Sequence, residues 1–99
     1  MAKFSYKTYR QGADVLLAIS DSAIVGKTLK TAHASIDVSG FYKGEECGER
    51  KALELIRGAT IVNAIGQDVV ALMLGNKLLD KSMVLEIAGV PHAQIISVG

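Results

Sequence analysis

The chain has 99 residues, of which 49% are apolar and 21% charged, and its formal net charge at pH 7 is +1. This balance predicts one globular domain with a single core and excludes a disordered or collagen-like chain. It also excludes a strongly basic protein that attracts nucleic acid by overall charge alone.

The cysteine content and the apolar stretches predict a cytoplasmic protein that does not enter a membrane. Cys47 is the single cysteine, so the chain cannot form an internal disulfide. No basic, apolar leader opens the sequence. No apolar stretch approaches the roughly 20 residues needed to span a bilayer. We therefore expect a reducing, cytoplasmic setting.

The first part of the chain predicts a hairpin followed by a short helical turn. Residues 3–10 interleave aromatic and polar side chains, and turn-forming residues 11–14 separate them from the apolar run 15–19. The second strand is apolar on both faces and should be interior, with the first nearer an edge. Asp21 and Ser22 are expected to cap a turn that ends at Gly26.

The middle of the chain predicts a strand, a loop and a helix. Residues 31–38 alternate between apolar and polar, as in a half-buried strand with His33 on the polar side. Residues 40–48 form a loop bounded by glycines. The helix that follows begins with acidic residues, carries Leu53 and Ile56 on one face, and ends at Gly58 after a basic residue.

The last part predicts a strand–helix–strand unit and a polar turn. Residues 60–65 form the first strand, residues 67–74 the helix and residues 83–88 the second strand, joined by a right-handed crossover. Residues 89–94 form a turn between sheet elements, and residues 95–98 continue as strand. The whole chain, residues 1–99, is expected to be a single α+β domain with a mixed sheet of five or six strands and two main helices.

Two familiar kinds of site are excluded. The segment Gly26-Lys27-Thr28 resembles the end of a phosphate-binding loop, but Asp21 stands where that loop requires glycine. The two histidines, His33 and His92, and Cys47 share no spacing typical of metal ligands, so we predict neither a metal nor a cofactor. Acidic neighbours should keep the Cys47 thiol protonated and inert.

A candidate pocket is predicted where two strands end. Pro91 should fix the direction of the side chains of His92 and Gln94. Asn63 also lies near the carboxyl end of a strand, so parallel packing of the two strands would bring it beside His92. Asp21 is a further candidate, as a carboxylate partner. The alternative is that each of these residues has a structural role in a turn or a hydrogen bond.

A candidate surface for nucleic acid is predicted in the basic half of the chain. Residues 1–44 carry six basic and three acidic groups. An exposed aromatic ring beside a lysine can stack on a base, although tyrosines also commonly seal the edge of a core. The candidate contacts are Lys7, Arg10, Phe41, Tyr42 and Lys43.

The chain resembles a family of small archaeal proteins of unknown function in four segments, residues 21–28, 41–44, 59–66 and 89–94. The resemblance implies an archaeal cytoplasmic setting and an α+β fold, and it implies no reaction. Members often carry a cysteine and a second acidic residue beside the aspartate, where this chain has Ser20 and Ser22. No acid or thiol role at Asp21 can therefore be carried over.

The favoured functional hypothesis is a small module that binds RNA or a ribonucleoprotein, and not an enzyme. The first alternative is a small-metabolite binder or enzyme with a pocket around Asn63 and His92. The second is a structural homodimer formed through an exposed sheet edge.

Overall fold

The computed structural model describes residues 3–96, which form a six-stranded sheet, a two-stranded sheet and two α-helices. The strands are β1 (Phe4–Gln11), β2 (Asp14–Asp21), β3 (Thr28–Lys30), β4 (Ser35–Asp37), β5 (Glu45–Cys47), β6 (Ile61–Ile65), β7 (Val84–Ile87) and β8 (Val90–Ile96), and the helices are α1 (Glu49–Gly58) and α2 (Gln67–Gly75). Short 3₁₀ turns lie at Ser22–Ile24 and Lys81–Met83. The predicted α+β fold, with a mixed sheet and two main helices, is confirmed.

The large sheet has the strand order β5-β1-β2-β6-β8-β7. The β1–β2 hairpin forms as predicted, with Gly12 in its turn at a φ of 61°. β2 pairs antiparallel with β1 and parallel with β6, so it lies inside the sheet. This interior position agrees with its apolar side chains on both faces.

Both helices pack on one face of the sheet. α1 buries Ala52 and Ile56, and α2 buries Val69, Val70 and Met73. They join one apolar cluster with side chains from the sheet, in which each fully buried Val, Leu, Ile, Phe or Met stabilises the fold by about 1.5 to 3 kcal/mol. The other buried members are Phe4, Leu17, Ile19, Val62, Ala64, Leu79 and Ala93.

A second, smaller apolar cluster lies on the opposite face of the sheet. There the segment after β2 folds back and buries Leu29, Val38 and Tyr42 against Ala18 and Ile65. This segment covers only part of the face. Beyond it the sheet exposes large apolar side chains, with Leu85 and Ile96 each 65% accessible to solvent.

The prediction of one strand over residues 31–38 was wrong. The structure has a hairpin of β3 and β4 there, and its turn is closed by hydrogen bonds between Thr31 and Ala34, from the Thr31 amide to the Ala34 carbonyl at 2.8 Å and from the Ala34 amide to the Thr31 Oγ1 at 3.0 Å. Ala32 and Ala34 are exposed. These two alanines produce the apolar–polar alternation that is typical of a strand, but such small side chains contribute little to a core.

The predicted loop over residues 40–48 contains a strand. β5 pairs antiparallel with β1 and forms one edge of the sheet. Gly44 allows the chain to approach β1 closely, because a Cβ atom there would lie 2.2 Å from the carbonyl oxygen of Tyr6. The loop prediction therefore fails for Glu45–Cys47, the three residues of β5.

The end of the chain differs most from the prediction. The tight turn falls at Ala88 and Gly89, with φ values of 51° and 80°, and residues 90–96 form strand β8. β8 lies between β6 and β7 and is antiparallel to both, so β6 and β7 are not neighbours. The parallel pair is instead β2 and β6. Of the predicted strand over 95–98, residues 97 and 98 lie outside the described residues.

The free edges of the sheet are β5 and β7, with three and four residues. Association through a sheet edge would involve one of these strands and stays a prediction. Neither helix in the part of the chain that the structure describes is long and apolar enough to span a membrane.

Candidate functional site

Asn63 and His92 lie side by side on neighbouring strands. In the antiparallel register of β6 and β8, Asn63 is opposite Gln94 and Ile65 is opposite His92. The His92 Nε2 is 3.1 Å from the Asn63 Oδ1. The two side chains therefore meet as the sequence suggested, although by direct antiparallel pairing and not by a parallel crossover.

Tyr42 completes a hydrogen-bonded group of three side chains. Its hydroxyl donates to the Asn63 Oδ1 at 2.5 Å. The Tyr42 side chain is only 5% exposed, and burial raises its pKa to about 12, so it stays a neutral donor at physiological pH. The Asn63 Oδ1 thus accepts one hydrogen bond from a phenol and stands within hydrogen-bond distance of an imidazole.

The contact with Asn63 determines the tautomer of His92. A carbonyl oxygen can only accept, so the hydrogen bond requires a proton on the His92 Nε2. Burial lowers the pKa of His92, which favours the neutral ring with its acceptor at Nδ1. The Asn63 amide nitrogen and the His92 Nδ1 are left as a donor and an acceptor for a ligand.

Gln94 and Asp21 take different positions relative to this group. Gln94 is exposed and lies beside Asn63, on the same face of the sheet as His92. Asp21 points to the opposite face, where its carboxylate accepts hydrogen bonds from the amides of Asp68 at 2.9 Å and Val69 at 2.8 Å. Asp21 therefore caps α2 and is not a partner of Asn63 and His92.

The surroundings of Asp21 explain its burial. Burial raises its pKa, and the hydrogen bonds from the first amides of α2 oppose that shift. The predicted role of Asp21 as cap of the 3₁₀ turn at Ser22–Ile24 was wrong, since its side chain makes no hydrogen bond to that turn. The contact with α2 could not be predicted from the sequence, because Asp68 lies 47 positions after Asp21.

An aromatic stack lies on the same face of the sheet as Asn63. The rings of Tyr9 and Phe41 are stacked with centroids 5.2 Å apart and planes inclined by 18°. The Tyr9 hydroxyl donates to the Phe41 carbonyl oxygen at 2.9 Å, and the Lys7 Nζ lies 5.5 Å from the Tyr9 ring centre. Phe41 is 41% exposed, and its ring also meets that of Tyr42 edge-on at 5.1 Å.

Of the five predicted nucleic-acid contacts, only Lys7 and Phe41 share this exposed surface. Tyr42 is buried beneath it. Arg10 lies on the helix face of the sheet, in a groove shared with Lys51 and Glu54. Lys43 lines a separate cleft. Tyr9 was not among the predicted contacts, although strand alternation places it on the same face as Lys7.

The thiol of Cys47 is half-buried in β5. Burial is the main cause that raises its pKa, and nearby Lys51 opposes the shift. A raised thiol pKa was predicted from the sequence, but the predicted cause was the neighbouring glutamates and not burial. Within residues 3–96, no group of three or more histidine, cysteine, aspartate or glutamate side chains is arranged to hold a metal ion.

Comparisons with known proteins identify relatives without a described activity. Residues 9–98 match a family described as "Protein of unknown function (DUF424)". The fold is similar to the crystal structure of an uncharacterized conserved protein from Methanopyrus kandleri, with a TM-score of 0.83 and 23% sequence identity over 99% of this chain and 96% of the other. No curated protein matches significantly. The structural likeness supports the fold and does not indicate a function.

Proposed function

Because the chain belongs to the DUF424 family, a family of unknown function, we propose its function from the surface itself: it binds single-stranded RNA, alone or within a ribonucleoprotein. The observation that carries this proposal is the exposed stack of Phe41 on Tyr9, with Lys7 beside it. The proposal includes a cytoplasmic setting, which the single cysteine supports.

The stack has the features of a platform for bases. One ring face of Phe41 packs on Tyr9, and the remaining exposure of the ring leaves surface on which a base can stack. Such stacking is worth about 1 to 3 kcal/mol per base and tolerates any base. The hydrogen bond from the Tyr9 hydroxyl to the Phe41 carbonyl holds the loop in place before a ligand arrives.

Polar groups on the same sheet face extend this platform. Gln94 is exposed, and the Asn63 amide and His92 ring lie next to it on β6 and β8. Side-chain amides and histidine can hydrogen-bond to the edges of unpaired bases. With a net charge of +1, affinity should depend more on stacking and hydrogen bonds than on charge.

Fluorescence anisotropy with a labelled single-stranded RNA at low ionic strength tests the proposal. Phe41→Ala should weaken binding roughly fivefold or more, because it removes the stacking surface. Lys7→Gln should reduce the slope of log affinity against log salt by about 0.7 if Lys7 contacts one phosphate. Met83→Ala and Lys30→Gln are the matched controls, since both side chains are exposed and neither belongs to the stack or to the polar groups beside it.

Two results would contradict the proposal. One is the absence of binding at low ionic strength. The other is an equal effect of Phe41→Ala and Met83→Ala, which would show that the aromatic surface is not involved.

A second candidate function is binding of a small molecule at Asn63 and His92. It is favoured by their half-buried position and by the donor and acceptor that they leave unused. A carboxamide presents the complementary acceptor and donor, so acetamide is a suitable probe. Saturable shifts of the Asn63 side-chain amide in NMR spectra, lost in His92→Phe, would support this candidate, and shifts that rise linearly with acetamide would exclude it.

A further inference from the structure

A cleft of about 380 Å³ lies at the edge of the sheet formed by β1 and β5. This volume is within the range of small-molecule sites, roughly 300 to 1,000 Å³. The cleft is separate from the aromatic stack and from the group around Asn63. Its lining residues are Ser5, Ser22, Val25, Lys43, Gly44 and Glu46.

Ser22 carries a polar atom that the fold leaves without a partner. Among the described residues, its Oγ is the buried side-chain oxygen or nitrogen that has no hydrogen bond. The backbone of Ser22 is satisfied, since its amide donates to the Lys3 carbonyl at 3.0 Å and its carbonyl accepts from the Val25 amide at 3.3 Å. A buried hydroxyl without a partner is unfavourable and requires an explanation.

Ser5 shows the opposite situation in the same cleft. Its Oγ donates to the Tyr42 carbonyl at 2.9 Å and accepts from the Gly44 amide at 3.3 Å. These bonds hold the loop that carries Lys43 against β1. The Ser5 hydroxyl is therefore a fixed part of the wall, whereas the Ser22 hydroxyl is buried and has no partner.

The cleft also carries one side chain of each charge. Glu46 is opposite Ser5 in the register of β1 and β5, so its carboxylate emerges on the same face of the sheet as the Ser5 hydroxyl. Lys43 contributes an ammonium group, and both charged side chains are exposed. Val25 adds an apolar wall.

We propose that this cleft binds a free α-amino acid. The ligand carboxylate accepts a hydrogen bond from the Lys43 ammonium and a second from the Ser22 hydroxyl, whose side chain rotates toward the cleft when the ligand binds. The ligand ammonium binds the Glu46 carboxylate, and a short ligand side chain packs on Val25. A simple anion such as phosphate fits less well, because Glu46 would repel it. The amino acid uses all three polar groups and gives the Ser22 hydroxyl its missing partner.

NMR titration of the ¹⁵N-labelled full chain tests this site independently of RNA. L-alanine should cause saturable shifts of the Ser22, Val25 and Gly44 amides. Acetate and methylammonium, which each carry half of the recognised chemistry, should bind at least about tenfold more weakly, as should inorganic phosphate. Equal binding of acetate and L-alanine would overturn the proposal, and so would shifts that do not saturate.

Variants of the three polar groups complete the test. Ser22→Ala, Lys43→Gln and Glu46→Gln should each weaken L-alanine binding roughly tenfold. Ser39→Ala and Lys27→Gln, which change exposed residues outside the cleft, are the controls and should leave binding unchanged. Without ligand, Ser22→Ala should be at least as stable as the original chain, because it removes an unsatisfied hydroxyl. Unchanged L-alanine binding in the folded Ser22→Ala variant would overturn the assignment.

Discussion

Gly66 and Asp21 approach each other so closely that a side chain at position 66 would clash with the Asp21 carboxylate. A Cβ atom on Gly66 would lie 2.4 Å from the Asp21 Cγ, and the backbone of Gly66 has a φ of 132°. Gly66 is also the residue before α2, whose first amides the Asp21 carboxylate binds. The glycine and the aspartate thus form one unit that joins β2 to the start of α2.

The first prediction concerns Gly66→Ala. We expect it to lower the free energy of unfolding by about 2 to 4 kcal/mol, because it adds a steric clash to an unfavourable backbone conformation. Urea denaturation measures the change. Gly12→Ala is the control, since Gly12 also has a positive φ of 61° but has free space around its Cβ position. An equal loss in both variants would show that the contact with Asp21 contributes nothing.

The second prediction concerns the cap of α2. Asp21→Ala should lower the free energy of unfolding by about 1 to 2 kcal/mol, because two amides at the start of the helix lose their acceptor. Asp68→Ala is the control, since Asp68 lies in the same first turn but is exposed. Its effect should be about 0.3 to 1 kcal/mol.

The double variant with Asp21→Ala and Gly66→Ala tests whether these two residues stabilise the fold as one unit. Gly66→Ala should cost less in the Asp21→Ala background than in the original chain, because the carboxylate that it meets is gone. Strict additivity of the two single effects would contradict the proposed unit.

The third prediction concerns the hydroxyl of Tyr42. Tyr42→Phe should lower the free energy of unfolding by about 1 to 2 kcal/mol, because it removes a buried donor to Asn63. Tyr9→Phe is the matched control, since its hydroxyl makes an exposed hydrogen bond to Phe41 and should contribute less. Chemical denaturation of both variants measures the difference. A larger effect at Tyr9 would contradict the ranking.

The fourth prediction concerns pH. Burial lowers the pKa of His92 below its ordinary value of about 6.5, so the unfolded chain binds the proton more tightly than the folded chain. The stabilising contribution is therefore present above pH 6.5 and is lost as the pH falls through the folded pKa. Compared with His92→Gln, the original chain should lose stability on acidification over this window.

Denaturation of both proteins at a series of pH values measures that difference. All other titratable groups are the same in both chains, so the difference between the two curves reports on position 92. Parallel curves for the two proteins across the window would show that protonation of His92 is not linked to folding.

Local signals in the sequence predicted the helices and the central hairpin well. α1 combines Glu49 in its first turn, Arg57 in its last and a buried face containing Ala52 and Ile56, which are all properties of a short segment. The β1–β2 turn depends on neighbouring residues in the same way. No distant contact was needed to recognise either of them.

The position of β8 could not be predicted locally, because Pro91 is normally a sign of a turn or an edge. In the structure, Ile65 is opposite His92 and β6 ends there, so Pro91 lies beyond the last pair of the β6–β8 ladder. The Pro91 carbonyl still accepts a hydrogen bond from the Gly66 amide at 2.9 Å. Proline is tolerated because no carbonyl of β6 requires its missing N–H.

The candidate site was predictable only in part for the same reason. Asn63 and His92 could be paired from their positions near strand ends, but the contacts of Tyr42 and Asp21 join segments distant in the sequence. Tyr42 lies 21 residues before Asn63, and Asp21 lies 48 residues before Val69. Composition and periodicity carry no information about such contacts.

The interior position of β8 determines the order in which the strands of the large sheet can pair during synthesis. β6 and β7 both leave the ribosome before residues 90–96, and β6 can already pair with β2, whereas β7 has its only partner in the large sheet in β8. The hairpin, α1 and the β2–β6 pair can form early, whereas β7 joins the sheet only when β8 is inserted between it and β6. Pairings between distant segments form slowly, so insertion of β8 should be the late step in folding.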